Sequence, residues 1–163
     1  MSMSYEQIQA FIHREARLLD DRAWDEWLTC YREDVVYWMP CWDVDDELIE
    51  DPQSEISLIY YPNRNGLEDR VYRQKTERSG ASSLPEPRTV HLTSNLEILE
   101  QNGDEVKVRY NWQTNSYRYQ TTNTFYGVSF CTLDCSGEQP VITNKKIVLK
   151  NDYINQVIDF YHL

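Results

Sequence analysis

Three histidines, four cysteines and a set of scattered carboxylates are the residues from which this chain could assemble a reactive centre. A mononuclear non-haem iron site needs two histidines and a carboxylate meeting at one point. His13, His91 and His162 fall on a helix, in a strand and beside the last residue, and no spacing brings them together with an acid. A Rieske cluster needs paired short Cys/His motifs. Cys131-Thr132-Leu133-Asp134-Cys135 has no histidine nearby, and on a strand both thiols point to one face. Cys30, Cys41, Cys131 and Cys135 therefore read as reduced, small hydrophobic residues. There is no serine elbow and no cysteine beside a histidine. Gly66, Gly80, Gly103, Gly127 and Gly137 are isolated, so no glycine-rich loop cradles a phosphate. The residues thus nominate no catalytic, no cofactor-binding and no metal-binding side chain.

One acid–histidine pair stands against that conclusion. Asp34, beside the second helix, and His91, within a strand, would serve a cofactor-free isomerisation or dehydration in an internal cavity, with a buried aspartate of raised pKa as the base. The plainer reading makes Asp34 a turn or capping residue. It puts His91 on a polar strand face, because His91 alternates with Val90 and Leu92. The pattern favours the plainer reading. A third reading has the fold hold a small aromatic acid directly, as a binding module.

The elements that would position these residues follow from periodicity. Ile8, Phe11, Ile12, Ala16 and Leu19 recur at helical spacing over Tyr5 to Leu19. Asp20 or Asp21 caps a second helix, Arg22 to Tyr31, which carries Trp24, Trp27 and Leu28 along one side. Short strands come next at Val35 to Met39 and Ile56 to Tyr61, each stopped by a proline. A third helix starts near Leu67, and Ser79 to Pro87 is a flexible connection. From Arg88 to Leu149 four long strands run in succession. In the first, Val90, Leu92, Leu96 and Ile98 share the greasy face, and Gly103 serves the turn after it. The second carries Val106, Val108, Tyr110 and Trp112 on one face; a bulge near Gln113–Ser116 would switch parity to Tyr117 and Tyr119. In the tail, Ile154, Val157, Ile158 and Tyr161 have helical spacing while Ile154, Ile158 and Phe160 also fit one face of a strand; the extended form, pairing with a sheet edge or docking on another subunit, is the favoured expectation. Residues 1–163 form one α+β domain, a cone-like curved antiparallel sheet covered by N-terminal helices.

Composition narrows the partners. A net charge of −11 argues against nucleic acid and anionic membrane surfaces, both of which need clustered Lys and Arg. Asp43 to Glu55 holds seven acidic residues and no basic one; it is a solvated loop or a docking patch for a basic surface. No secretory h-region or membrane-length apolar run appears, which points to the cytoplasm.

Several stretches are similar to one family: REARLLDDRAWDEWL (Arg14–Leu28), YWMPCWD (Tyr37–Asp43), EDPQSEISLIYYPNRNGLEDRVYRQKTERS (Glu50–Ser79), NWQTNSYRY (Asn111–Tyr119) and GEQPVITNKKIVLKNDYINQVIDFYHL (Gly137–Leu163). The chain resembles the small (beta) subunit of an aromatic-ring-hydroxylating dioxygenase, in the benzoate/toluate 1,2-dioxygenase branch; anthranilate-type small subunits look alike over the same regions. The resemblance implies a cone like that of nuclear transport factor 2 and scytalone dehydratase. It implies a non-catalytic structural chain in an α3β3 hexamer with a large (alpha) partner and beta–beta contacts. The alpha subunit would carry the Rieske [2Fe-2S] cluster and mononuclear Fe(II). A separate reductase, contacting the assembled enzyme, would pass electrons from NADH through FAD.

A structural role puts the energetics in interfaces. Trp112, Tyr117, Tyr119, Phe125, Tyr126, Phe160 and Tyr161 are the candidate contact aromatics, with Arg88, Arg109 and Arg118 to pair carboxylates across a seam. On this reading, loss of Phe160 to Leu163 weakens assembly more than it unfolds the monomer.

Overall fold

The computed structural model describes residues 3–78, 85–151 and 158–163. Helix α1 (Tyr5–Asp20) is set off by Ser4, whose hydroxyl accepts from Gln7 N while Gln7 reaches back to Ser4 N. Its buried stripe, Ile8, Phe11, Ile12, Ala16, Leu18 and Leu19, faces the sheet, and Glu15 is buried among them. Helix α2 (Trp24–Leu28) is shorter than its periodicity suggests, and Ala23 occupies its N-cap without a side-chain bond. Neither Asp20 nor Asp21 caps it, because Asp20 is drawn instead to the sheet.

Strands β1 (Tyr31–Pro40) and β2 (Ser57–Tyr61) pair antiparallel, and α3 (Asn65–Arg78) comes after them. The long strands β3 (Arg88–Asn102), β4 (Glu105–Arg118), β5 (Thr121–Asp134) and β6 (Val141–Leu149) form a meander. The six strands lie in the order β2-β1-β6-β5-β4-β3. All neighbours are antiparallel except β1 and β6, which run parallel because the whole meander intervenes between them. The sheet is curved with the helices against one face, as expected, but the β1–β6 pairing makes it mixed where a wholly antiparallel sheet was expected. Gly127 permits one close approach: a Cβ there would lie 1.8 Å from the Val148 carbonyl oxygen.

Two expectations about strand faces fail, for one reason. The bulge lies in β3, not in β4. Asn95 has φ +56°, and the β3/β4 register shifts between Ser94 and Glu97. Before that point His91 and Thr93 turn inward, leaving Val90 and Leu92 58% and 50% exposed; after it, Leu96 and Ile98 pack on the core. Pairing of β4 with β5 is unbroken from Glu105 to Arg118, so Thr114 and Ser116 continue the inward face of Val106 to Trp112. Tyr117 simply faces out. The β4–β5 turn is Tyr119-Gln120, both at positive φ, and β5 begins at Thr121 where a polar break was expected.

The tail also departs from its expected form. Ile154 and Val157, which enter the extended and helical readings of the tail, lie outside the described residues, as do residues 79–84 of the connection. Near the chain end, a 3-10 turn, Phe160–His162, is pushed into the protein's own core. Phe160 meets the Trp24 and Trp27 rings at centroid distances of 5.3 and 5.1 Å. Trp112, Phe125 and Phe160 are buried and are not contact aromatics, whereas Tyr117, Tyr119 and Tyr126 are exposed.

Candidate functional site

The place to look for chemistry is the space between α1 and the concave sheet face. A polar knot fills its centre. Glu15 Oε1 accepts from Trp27 Nε1 (2.9 Å) and the Tyr31 hydroxyl (2.8 Å), and it faces Lys145 Nζ at 3.4 Å. Lys145 also approaches the Tyr31 hydroxyl at 3.4 Å and the Tyr37 ring at 5.9 Å. Burial alone would raise the Glu15 carboxyl; the Lys145 ammonium and the donors from Trp27 and Tyr31 outweigh it and hold the carboxyl below its ordinary value. Tyr31, Tyr37 and Tyr110 are pushed well above the phenolic range by burial. Glu15, Tyr31 and Lys145 spend their polar atoms on one another, a satisfied network rather than a set of waiting reagents.

A second constellation joins helix to sheet. Asp20 Oδ1 lies 2.5 Å from His91 Nδ1 and accepts from the Thr89 hydroxyl at 2.9 Å; its other oxygen accepts from His91 N at 2.8 Å. His91 Nε2 is 2.9 Å from the main-chain oxygen of Leu163. This is an acid–histidine pair, but both ring nitrogens and both carboxylate oxygens are engaged. It ties α1 to β3 and holds the tail. Sequence reasoning misses it because simple alternation makes His91 an outward residue; the local clue is Asn95, a residue type tolerant of the left-handed region.

The nominated partner of His91 is elsewhere. Asp34 is exposed on β1 and clamped by Arg32 (2.6 and 3.0 Å), which also reaches Asp134 at 2.9 Å. The Arg32 hydrogen bonds lower its carboxyl, the reverse of what a cavity base needs. Asp34 and His91 are not brought together. His13 is exposed and lines a shallow outer depression with Asp20 and His91. Among the described residues, no group of three or more His, Cys, Asp and Glu side chains is placed to hold a metal ion. Burial raises all four thiols, Cys30 to about 12 and Cys131 to about 11, so they remain thiols where a ligand must be a thiolate. His162 is buried and pushed down to about 3 by desolvation; its Nδ1 accepts from Asp159 N.

Among the described residues, the space directly beneath α1 is too small for a small organic acid. Under α1 the free space is about 50 Å³, between Tyr5, Ile12, Thr93 and Tyr110. Ligand pockets typically need about 300 Å³ or more. The larger hollows are open depressions such as that lined by Leu92, Gln113, Tyr126 and Lys150.

Known proteins share this architecture and much of the sequence that builds it. The family model described as "Ring hydroxylating beta subunit" matches residues 14–156. A toluate 1,2-dioxygenase subunit beta of Pseudomonas putida is 60% identical over all of both chains. An anthranilate 1,2-dioxygenase small subunit of Acinetobacter baylyi is 35% identical over 96% of this chain and 95% of its own. The crystal structure of the beta subunit of a benzoate 1,2-dioxygenase from Burkholderia mallei superposes with a TM-score of 0.87 at 52% identity, covering 100% of this chain and 99% of that one.

Proposed function

The chain belongs to the family of ring-hydroxylating beta subunits, and from that premise we propose that it is the non-catalytic small subunit of a Rieske non-haem iron dioxygenase that dihydroxylates benzoate or a closely related aromatic carboxylate. The observation that carries this reading is the filled concave face: the side chains that enzymes would aim at a substrate are turned on one another around Glu15–Lys145 and Asp20–His91. The chain acts as one domain, supplies no catalytic residue, and assembles with a large subunit in an α3β3 hexamer in the cytoplasm. Among the described residues no donor set fits a cluster or an iron, and on this reading both metal centres belong to the large subunit, with NADH and FAD in a reductase that docks on the complex. The closer likeness to toluate and benzoate relatives than to the anthranilate one favours an unaminated ring acid.

Co-expression with the iron-bearing large chain tests the class. The two are expected to purify together and to turn over benzoate and toluates faster than anthranilate, while the small chain alone is colourless and inactive. A Rieske spectrum from the small chain alone, or no capture of the large chain, defeats the reading.

A further inference from the structure

The face of the sheet turned away from the helices carries a row that crosses all six strands in register. Tyr60 pairs with Trp38, Trp38 with Lys146, Lys146 with Phe130, Phe130 with Arg109, and Arg109 with Glu97. Residues directly opposite on neighbouring strands share a face, so these side chains stand side by side. Lys146 Nζ lies 5.1 Å from the Trp38 ring centroid and the Arg109 guanidinium 5.2 Å from that of Phe130. Aromatic and cation therefore alternate from Trp38 to Arg109, and the members from Tyr60 to Arg109 are half-buried. Glu97, at 3.7 Å from Arg109, is the acid the row itself contributes. Lys146 has no carboxylate partner among the described residues. In a chain of net charge −11, a belt with two cations and one acid is complementary to most of the molecule's own surface.

The complement is present in the same chain at a different place. Between β1 and β2, Trp42 and Leu48 bridge to make a small hairpin whose tip is Val44, Asp45 and Asp46. Val44 is 101% exposed. Asp43 spends Oδ1 on Asp45 N and Glu47 N and so shapes the tip. Asp45, Asp46 and Glu47 make no side-chain hydrogen bond or ion pair among the described residues. An apolar side chain ringed by these carboxylates matches rings alternating with cations in both of its chemistries: Val44 against Trp38 or Phe130, the acids against Lys146 and Arg109.

We propose that the Tyr60–Trp38–Lys146–Phe130–Arg109 row is the docking surface for the Val44–Glu47 hairpin of a second copy of this chain. Two different patches that fit each other make a head-to-tail contact, and such contacts close into rings when the rotation allows. This deepens the proposed assembly, on which it rests, by naming the surfaces through which small subunits meet. The charges set partner choice and register, and the aromatic–valine contact excludes water around them.

The test uses the full chain, alone and with its large subunit. Row reversal (Arg109→Glu with Lys146→Glu) or hairpin reversal (Asp45→Lys with Glu47→Lys) is expected to raise the self-association midpoint at least about tenfold in sedimentation experiments. A chain carrying both reversals restores every contact in a ring of any size and should recover to within about threefold. Wild-type association should also weaken as salt rises from about 50 to 500 mM, a measurement independent of any variant's folding. Salt-insensitive self-association, no self-association at all, or both reversals disruptive without recovery in the combined chain overturns the proposal. Capture of the large chain by the wild-type protein is scored separately, so failure of the docking proposal is distinguishable from failure of the family reading.

Discussion

The two faces of this sheet handle their polar groups in opposite ways. On the concave side, Glu15 and Lys145 are both almost fully buried, and Trp27 and Tyr31 donate to the same carboxylate. On the convex side, Lys146 and Arg109 lie over aromatic rings, half in water, beside exposed Val90, Leu92, Tyr117 and Tyr126. Adjacent residues make the contrast sharp: Lys145 and Lys146 are neighbours in β6, one locked in the core and one on the surface. A fold with this architecture can spend its interior on a chamber or on packing. Here the interior is filled around the Glu15–Lys145 network, and the cations paired with rings are left to the outside, as befits a chain that works through contacts.

Breaking the inner face should therefore unfold the molecule, and breaking the outer face should not. The largest effect is expected from removing Phe160 to Leu163. Deletion of a buried phenylalanine alone costs about 3–5 kcal/mol, and Leu163 and the His91 tie go with it. That approaches the whole stability of a typical domain, about 5–15 kcal/mol. Denaturant melts should show the monomer collapsing, which reverses the expectation that the tail serves assembly first. Next comes Lys145→Met, which leaves Glu15 charged and unbalanced in the core; a loss of about 3–5 kcal/mol is expected in urea unfolding.

Acid should act on the same face. His162 is held neutral, with a folded pKa of about 3 against 6.5 when exposed. The unfolded chain thus binds the proton first, so this contribution is fully present above pH 6.5 and drains away as pH falls toward 3. Glu15, lowered in the fold, adds a loss of the same sign below its ordinary 4.5. Stability measured between pH 7 and 5 should fall by up to about 1.4 kcal/mol per pH unit, and His162→Gln should flatten that slope. Smallest of all is Asp34→Asn on the outside. Its clamp to Arg32 is solvent-exposed, and no resolvable change is expected in the same unfolding measurement. A larger loss there, or a negligible one at Lys145, would erase the distinction between the faces.

How far the sequence can be read depends on the range of the forces involved. Helix α1, the strand succession and the Gly103 turn are local patterns of burial and backbone freedom, and they are legible. The buried knot is not, because Glu15, Trp27, Tyr31 and Lys145 are joined across as many as 130 positions. Asp20–His91, across 71, is invisible for the same reason, and is further disguised by the parity change at Asn95. Asp34 looks available only because nothing in the local sequence shows that Arg32, two residues away, grips it on the surface.

By itself, then, the sequence determined which segments form helices and strands, the strong negative charge, the reduced cysteines and the absence of any spaced ligand motif; these are set by residue type and by periods of two to four. Only the tertiary structure decided which way each strand faces, that the acid–histidine pair is Asp20 with His91, that the tail is a plug, and that an aromatic–cation row aligns across six strands. Those outcomes hang on register. A single extra residue at Asn95 turns one set of side chains to the core and the other to solvent, and an asparagine tolerant of the left-handed region permits that slip without dictating it.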